Sequence, residues 1–114
     1  MISDALEQIL QDLYADARAR SYEMITLEQL LLALMEHSAE VQQTLEALHV
    51  DLDILSGQLA ASIRDNTPTL PKSLLDKTDT QPTLGFQRVM QRAIIHAQSV
   101  EKRQVRPLDV LVAM

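Results

Sequence analysis

The chain has 114 residues, 46% hydrophobic and 23% charged, with 16 acidic against 10 basic side chains and a formal net charge of −6. That length suits one domain with a single modest core. The lack of cysteine excludes disulfides, thiolate metal sites and a cysteine nucleophile, and the acidic balance argues against nucleic acid as the main partner.

Only Tyr14, Tyr22 and Phe86 are aromatic and β-branched runs are absent, so an all-α fold is expected from the Leu, Ala, Glu and Gln content. Asp4 and Glu7 stand where a secretory signal would be basic, and the longest apolar run, Leu30 to Met35, is too short to span a membrane. A cytoplasmic location follows as the expectation. Gly57 and Gly85 are the only glycines, so no phosphate-cradling loop exists and the chain cannot be an ATPase by itself.

Taken in order, helix one spans about Asp4 to Ala19, with Leu6, Ile9, Leu10, Leu13 and Ala17 at helical spacing and Ser3 as N-cap. Thr26-Leu27-Glu28-Gln29 reads as a capping box opening helix two, whose Leu30–Met35 stretch has no polar face and belongs at the centre of the core. Ser38 caps a short third helix carrying Val41, Leu45 and Leu48, and Asp51 a fourth with Leu52, Leu55, Leu59 and Ile63 inward. A polar connection from Asn66 to Pro82 holds three prolines and reads as a linker or an ordered loop. Helix five starts near Thr83 with Phe86, Val89, Met90, Ala93, Ile94 and Ala97 on its inner face, and Pro107 opens a further helix.

Shifted by eighty positions, residues 6–34 lie on residues 86–114 without a gap, and the apolar pattern matches: Ile9 with Val89, Leu10 with Met90, Ala17 with Ala97, Ile25 with Val105. Identities are few (Gln11/Gln91, Ala17/Ala97, Leu31/Leu111, Ala33/Ala113), so two unrelated amphipathic helix pairs remain the alternative to a tandem helical repeat. As a repeat, the chain divides into a first unit over 1–65, a linker over 66–82 and the first part of a second unit over 83–114. Charge divides too. Residues 1–80 hold 5 basic and 14 acidic side chains, net −9, whereas residues 81–114 hold 5 basic and 2 acidic, net +3.

No catalytic constellation stands out. His37, His49 and His96 form no ligand pair, so no metal is expected, and the well-placed hydroxyls Ser3, Thr26, Ser38 and Thr83 read as caps. Asp12/Asp16 and Asp51/Asp53 read as helix surface and capping. An interaction module is the default, in which His96 is a surface contact or a solvated side chain.

The stretch Glu23-Met24-Ile25-Thr26-Leu27-Glu28-Gln29-Leu30-Leu31-Leu32-Ala33-Leu34 resembles the Clp N-terminal domain. The segment from Asp79 to Ala93, with Thr67-Pro68-Thr69-Leu70-Pro71, is similar to its ClpA type more than to ClpB or ClpC. The resemblance covers essentially the whole chain. It implies two four-helix repeats related by a pseudo-twofold axis, here with the second repeat truncated. It implies a non-catalytic appendage of a hexameric AAA+ unfoldase that feeds protein substrates to the ClpP peptidase, with ATP and Mg used in later domains and no cofactor in this one. It implies binding of the ClpS adaptor, on a surface drawing on Glu23 and Glu28 from the first repeat and Thr83 and His96 from the second. Two positions depart from relatives. Leu108 stands eighty positions after Glu28, where a paired phosphoarginine site would need a glutamate, and Tyr22 stands where some members carry a zinc-associated histidine, so no zinc is expected.

A stand-alone helical interaction module with no ATPase attached is the alternative reading. Two further helices, roughly thirty residues, would complete the second repeat. The inner faces of helix five and of Val110–Met114 are therefore expected to lack cover, leaving an apolar patch that drives dimerisation or loose packing.

Overall fold

The computed structural model describes residues 2–71, 80–101 and 104–114. Among these, six helices and two two-residue strands follow in the order α1 (Asp4–Ala19), β1 (Met24–Ile25), α2 (Leu27–His37), α3 (Ala39–Ala47), α4 (Leu52–Asn66), β2 (Gln81–Pro82), α5 (Leu84–Ser99) and α6 (Pro107–Ala113). The all-α expectation holds.

Each helix start is built by its own local chemistry. The hydroxyls of Ser3, Thr26, Ser38 and Thr83 accept from the backbone N–H of Leu6, Gln29, Val41 and Phe86 at 3.1–3.3 Å, and Asp51 Oδ1 accepts from Ile54 at 3.1 Å. Such caps satisfy donors that have no partner inside the helix. Only one arm of the expected Thr26 capping box forms. Gln29 does not reach back to the Thr26 N–H; its Nε2 donates to the Met24 carbonyl at 3.1 Å and approaches Thr67 Oγ1 at 3.5 Å. The side chain is thereby buried, with Oε1 unpartnered among the described residues. At the matching position of α6 the opposite arm forms: Asp109 Oδ2 accepts the Arg106 N–H at 2.9 Å. An arginine has no acceptor with which to complete that box.

The core forms where the helical stripes meet. Leu6, Ile9, Leu13 and Ala17 of α1 and Phe86, Val89, Ala93 and Ala97 of α5 are buried. α2 packs against every other helix in turn, with Leu30, Ala33, Leu34 and Met35 buried. Leu48, expected inward, is 68% exposed, because it lies at the C-cap of α3, past the last inward turn. The inner face of α5, expected to lack cover, is closed by α6, and Val110 is fully buried. Within the Val110–Met114 segment the exposed side chains are Val112 and Met114.

The strands are the feature with no sequence signal. β1 runs parallel to β2, Met24 against Gln81 and Ile25 against Pro82, and Ile2 forms a parallel bridge with Val105. The Ser3 N–H donates to the Val105 carbonyl at 2.9 Å and the Thr83 N–H to the Ile25 carbonyl at 3.0 Å. Subtracting eighty from Thr83 gives Ser3, and from Val105 gives Ile25, so the two bonds are one contact repeated about a pseudo-twofold axis. The same shift relates α1 to α5, the buried residues of one to those of the other, and the left-handed residues Ser21 and Glu101, each at φ 58°. Of the two readings of the internal echo, the structure is that of a repeat. Each unit lends a strand to the other.

The connection after α4 is fastened at both ends, and residues 72–79 of it lie outside the described residues. Glu23 N–H donates to Pro68 (2.8 Å), Leu70 N–H to Ser21 (2.7 Å), and the Thr80 hydroxyl to the Tyr22 carbonyl (2.6 Å). Both ends thus return to the segment between α1 and α2.

Candidate docking edge at the strand exchange

The parallel pairing of β1 and β2 has a direct consequence. Each strand runs straight into a helix, β1 through Thr26 into α2 and β2 through Thr83 into α5, so two helix N-termini open side by side. Their closeness shows at Gly85, where an added Cβ would stand 3.4 Å from Leu27 Cδ1. Both ends carry the positive pole of a helix dipole.

Three of the four expected site residues lie here. Glu23 is exposed just before β1, and its carbonyl accepts the Gln81 N–H at 3.1 Å. Glu28 is exposed in the first turn of α2, where a carboxylate gains about 0.3–1 kcal/mol from the dipole at a surface position. Thr83 is half-buried between them in the chain pairing. Its N–H is bonded to Ile25, and its hydroxyl oxygen accepts from Phe86 N–H while its own hydrogen remains able to donate. His96 is exposed on α5, but thirteen residues past Thr83, about 20 Å along the helix axis at 1.5 Å per residue. The structure therefore gathers Glu23, Glu28 and Thr83 at one edge and sets His96 at the other end of the same helix.

The pseudo-symmetric edge differs. Ser3 replaces Thr83, and a half-buried Leu108 stands in the place of Glu28. The acids of that edge stand at other positions, Asp4 and Glu7 in the first turn of α1 and the buried Asp109 in that of α6.

A second concavity of about 560 Å³ lies between α1, α2 and α4, floored by Leu13, Ala33 and Ile63 and including Tyr22 and Gln29. Its Arg20 guanidinium is held by Asp16 at 3.1 Å. Among the described residues no group of three His, Cys, Asp or Glu gathers in a way that could hold a metal ion.

Sequence reasoning missed the burial of Gln29, which needs the position of Thr67 to be known. Leu84 and Ile95, which are not among the residues expected on the inner face of α5, are exposed at 60% and 62%. Counting α5 at 100° per residue from its buried stripe places both outside it.

The exchanged strands and the eighty-position offset that relates α1 to α5 define an all-helical tandem-repeat domain. The family described as Clp repeat (R) N-terminal domain matches residues 1–114. A ClpA homolog protein of Fuscovulum blasticum is 41% identical over 112 residues, covering 98% of this chain and 14% of the relative. The chain belongs to the Clp repeat N-terminal domain family. It spans about one-seventh of the length of the curated relative it matches. No helix among the described residues is long and apolar enough to cross a membrane.

Proposed function

We propose that this chain is the adaptor- and substrate-docking N-terminal domain of a ClpA-like ATP-dependent unfoldase, which feeds proteins to a ClpP-type peptidase in the cytoplasm. In this reading the domain is non-catalytic and binds a ClpS-type adaptor through the edge where α2 and α5 begin. Glu28 and Glu23 present carboxylates, Thr83 offers a hydroxyl hydrogen, and His96 contributes from the distal part of α5. ATP and Mg are used elsewhere in the full-length protein. The observation that carries the reading is the edge built from both repeats, where exposed Glu23 and Glu28 stand beside the half-buried Thr83, in a chain 41% identical to a ClpA homolog.

Glu28→Lys replaces an exposed anion with a cation at the positive end of a helix, so it opposes both the dipole and a basic partner group. Calorimetric titration of a ClpS-type adaptor into the chain should show binding that Glu28→Lys weakens at least tenfold and Thr83→Lys weakens too. Equal affinity for both variants and the wild type would remove this edge from the reading.

A further inference from the structure

α1 and α5 occupy pseudo-equivalent places and bury the same four positions. The core therefore leaves their outward faces free to differ, and they differ in two ways. The first is charge. α1 carries Asp4, Glu7, Asp12 and Asp16 against Arg18, whereas α5 carries Arg88 and Arg92 and no acid. Both of those arginines are exposed, and neither guanidinium has an ion pair or hydrogen bond among the described residues. On α1, Asp16 is taken by Arg20 at 3.1 Å, but Asp4, Glu7 and Asp12 are exposed and in no ion pair among the described residues.

The second difference is relief. A shallow concavity of about 660 Å³ runs along α1, with the half-buried Leu10 and Tyr14 in its floor and Gln11 and Ala15 at its rim. Eighty positions after Ala15 stands Ile95, 62% exposed. One repeat is thus hollow and acidic where the other projects and is basic. A single exposed isoleucine or a single unpaired charge means little. Here shape and charge change together, and in opposite senses on the two faces.

We infer that the outer face of α1 receives the outer face of α5 from a second copy of this chain. Ile95 of one copy fills the hollow over Leu10 and Tyr14 of the other, while Arg88 and Arg92 meet Asp4, Glu7 and Asp12. The spacing allows both at once: with the helices parallel, seven residues, about 10 Å, separate Arg88 from Ile95 and likewise Asp4 from Gln11. A second copy is the occupant because both halves of the match lie on this one chain. The two patches are unlike, so the contact is heterologous, each copy offering one of each. Exposed ion pairs are individually weak, so the free chain associates reversibly. Copies tethered in one assembly, as the unfoldase reading implies, would meet at effective concentrations of about 1 mM. The contact itself is independent of the adaptor reading, since neither Glu28 nor Thr83 takes part.

Sedimentation equilibrium of the chain at low salt, from about 10 µM to about 1 mM, provides the test. The wild type should self-associate, and about 0.5 M salt should weaken that association at least tenfold. Ile95→Asp should weaken it by at least as much. Arg88→Glu/Arg92→Glu removes the basic face, and Gln8→Arg/Asp12→Arg gives α1 the two arginines of α5. All five positions are exposed, and thermal melts check the fold of each variant. Each double variant alone should be monomeric, because it repels its own kind. Mixed in equal amounts they should form a one-to-one pair, since each supplies the native face that the other lacks. A wild type that stays monomeric throughout would overturn the inference. So would association that both double variants retain, which would place the seam elsewhere, and so would a mixture of the two folded variants that stays monomeric.

Discussion

The strand exchange can be tested through one backbone hydrogen. Ser3 is 94% removed from solvent and does two things: its hydroxyl caps α1 through Leu6, and its N–H bonds the carbonyl of Val105, itself 2% exposed. Ser3→Ala removes only the cap and should cost about 1 kcal/mol. Ser3→Pro removes the cap and the N–H together. Its φ of −64° suits proline and the preceding Ile2 lies in a β-bridge, but the proline Cδ takes the place of the amide hydrogen and must push the Val105 carbonyl away from its 2.9 Å position. The orphaned Val105 carbonyl adds about 1–3 kcal/mol. The loss for Ser3→Pro is therefore about 2–4 kcal/mol or more, against about 1 for Ser3→Ala. Urea unfolding monitored by circular dichroism reads both, and for a domain of this size each kcal/mol shifts Tm by about 4 °C. Thr83 is the pseudo-symmetric replicate, with φ −69° and the bond to Ile25, and its Ala and Pro variants should show the same gap. If the proline variants cost no more than the alanine ones at both positions, the exchanged bonds contribute nothing to joining the repeats.

Three further outcomes follow from single residues. Gly57 sits inside α4 with nothing within 4 Å of an added Cβ, so Gly57→Ala should raise stability by about 0.5–1 kcal/mol and Tm by a few degrees; Gly85→Ala, tight against Leu27, should gain less. Arg106 Nη1 lies 3.2 Å from Glu40 Oε1 with both side chains nearly half exposed, so Glu40→Gln should cost no more than about 1 kcal/mol, and that small loss should vanish in high salt. Burial of the Tyr14 phenol, partly offset by Arg18, pushes its pKa above the ordinary value near 10. The unfolded chain then releases this proton first, so stability is intact below about pH 10 and falls as pH rises toward the folded-state value. Absorbance titration should show a late-ionising phenol, and Tyr14→Phe should remove both it and that part of the alkaline loss.

The patterns legible in the chain are those written over a few residues. Ser3, Thr26, Ser38, Asp51 and Thr83 mark helix starts because a cap reaches only three residues ahead, and the buried stripes of α1 and α5 follow from a period of 3.6. Where the same logic was pushed past a helix end it failed: Leu48 keeps the period of α3 but has no neighbour beyond the final turn. The Thr26 cap placed Glu28 in the first turn of α2, whereas Thr83 joins it at one edge only because β2 lies beside β1.

By itself the amino-acid sequence determined the helices, their inward faces, the eighty-residue echo and the family to which the chain belongs. The tertiary structure alone decided that the repeats interlock through exchanged two-residue strands and that Gln29 is buried. The physical reason is range. Two residues are too few to carry a period, and the partner of Ile25 stands beyond three helices and a proline-rich connection, where no local propensity can specify it.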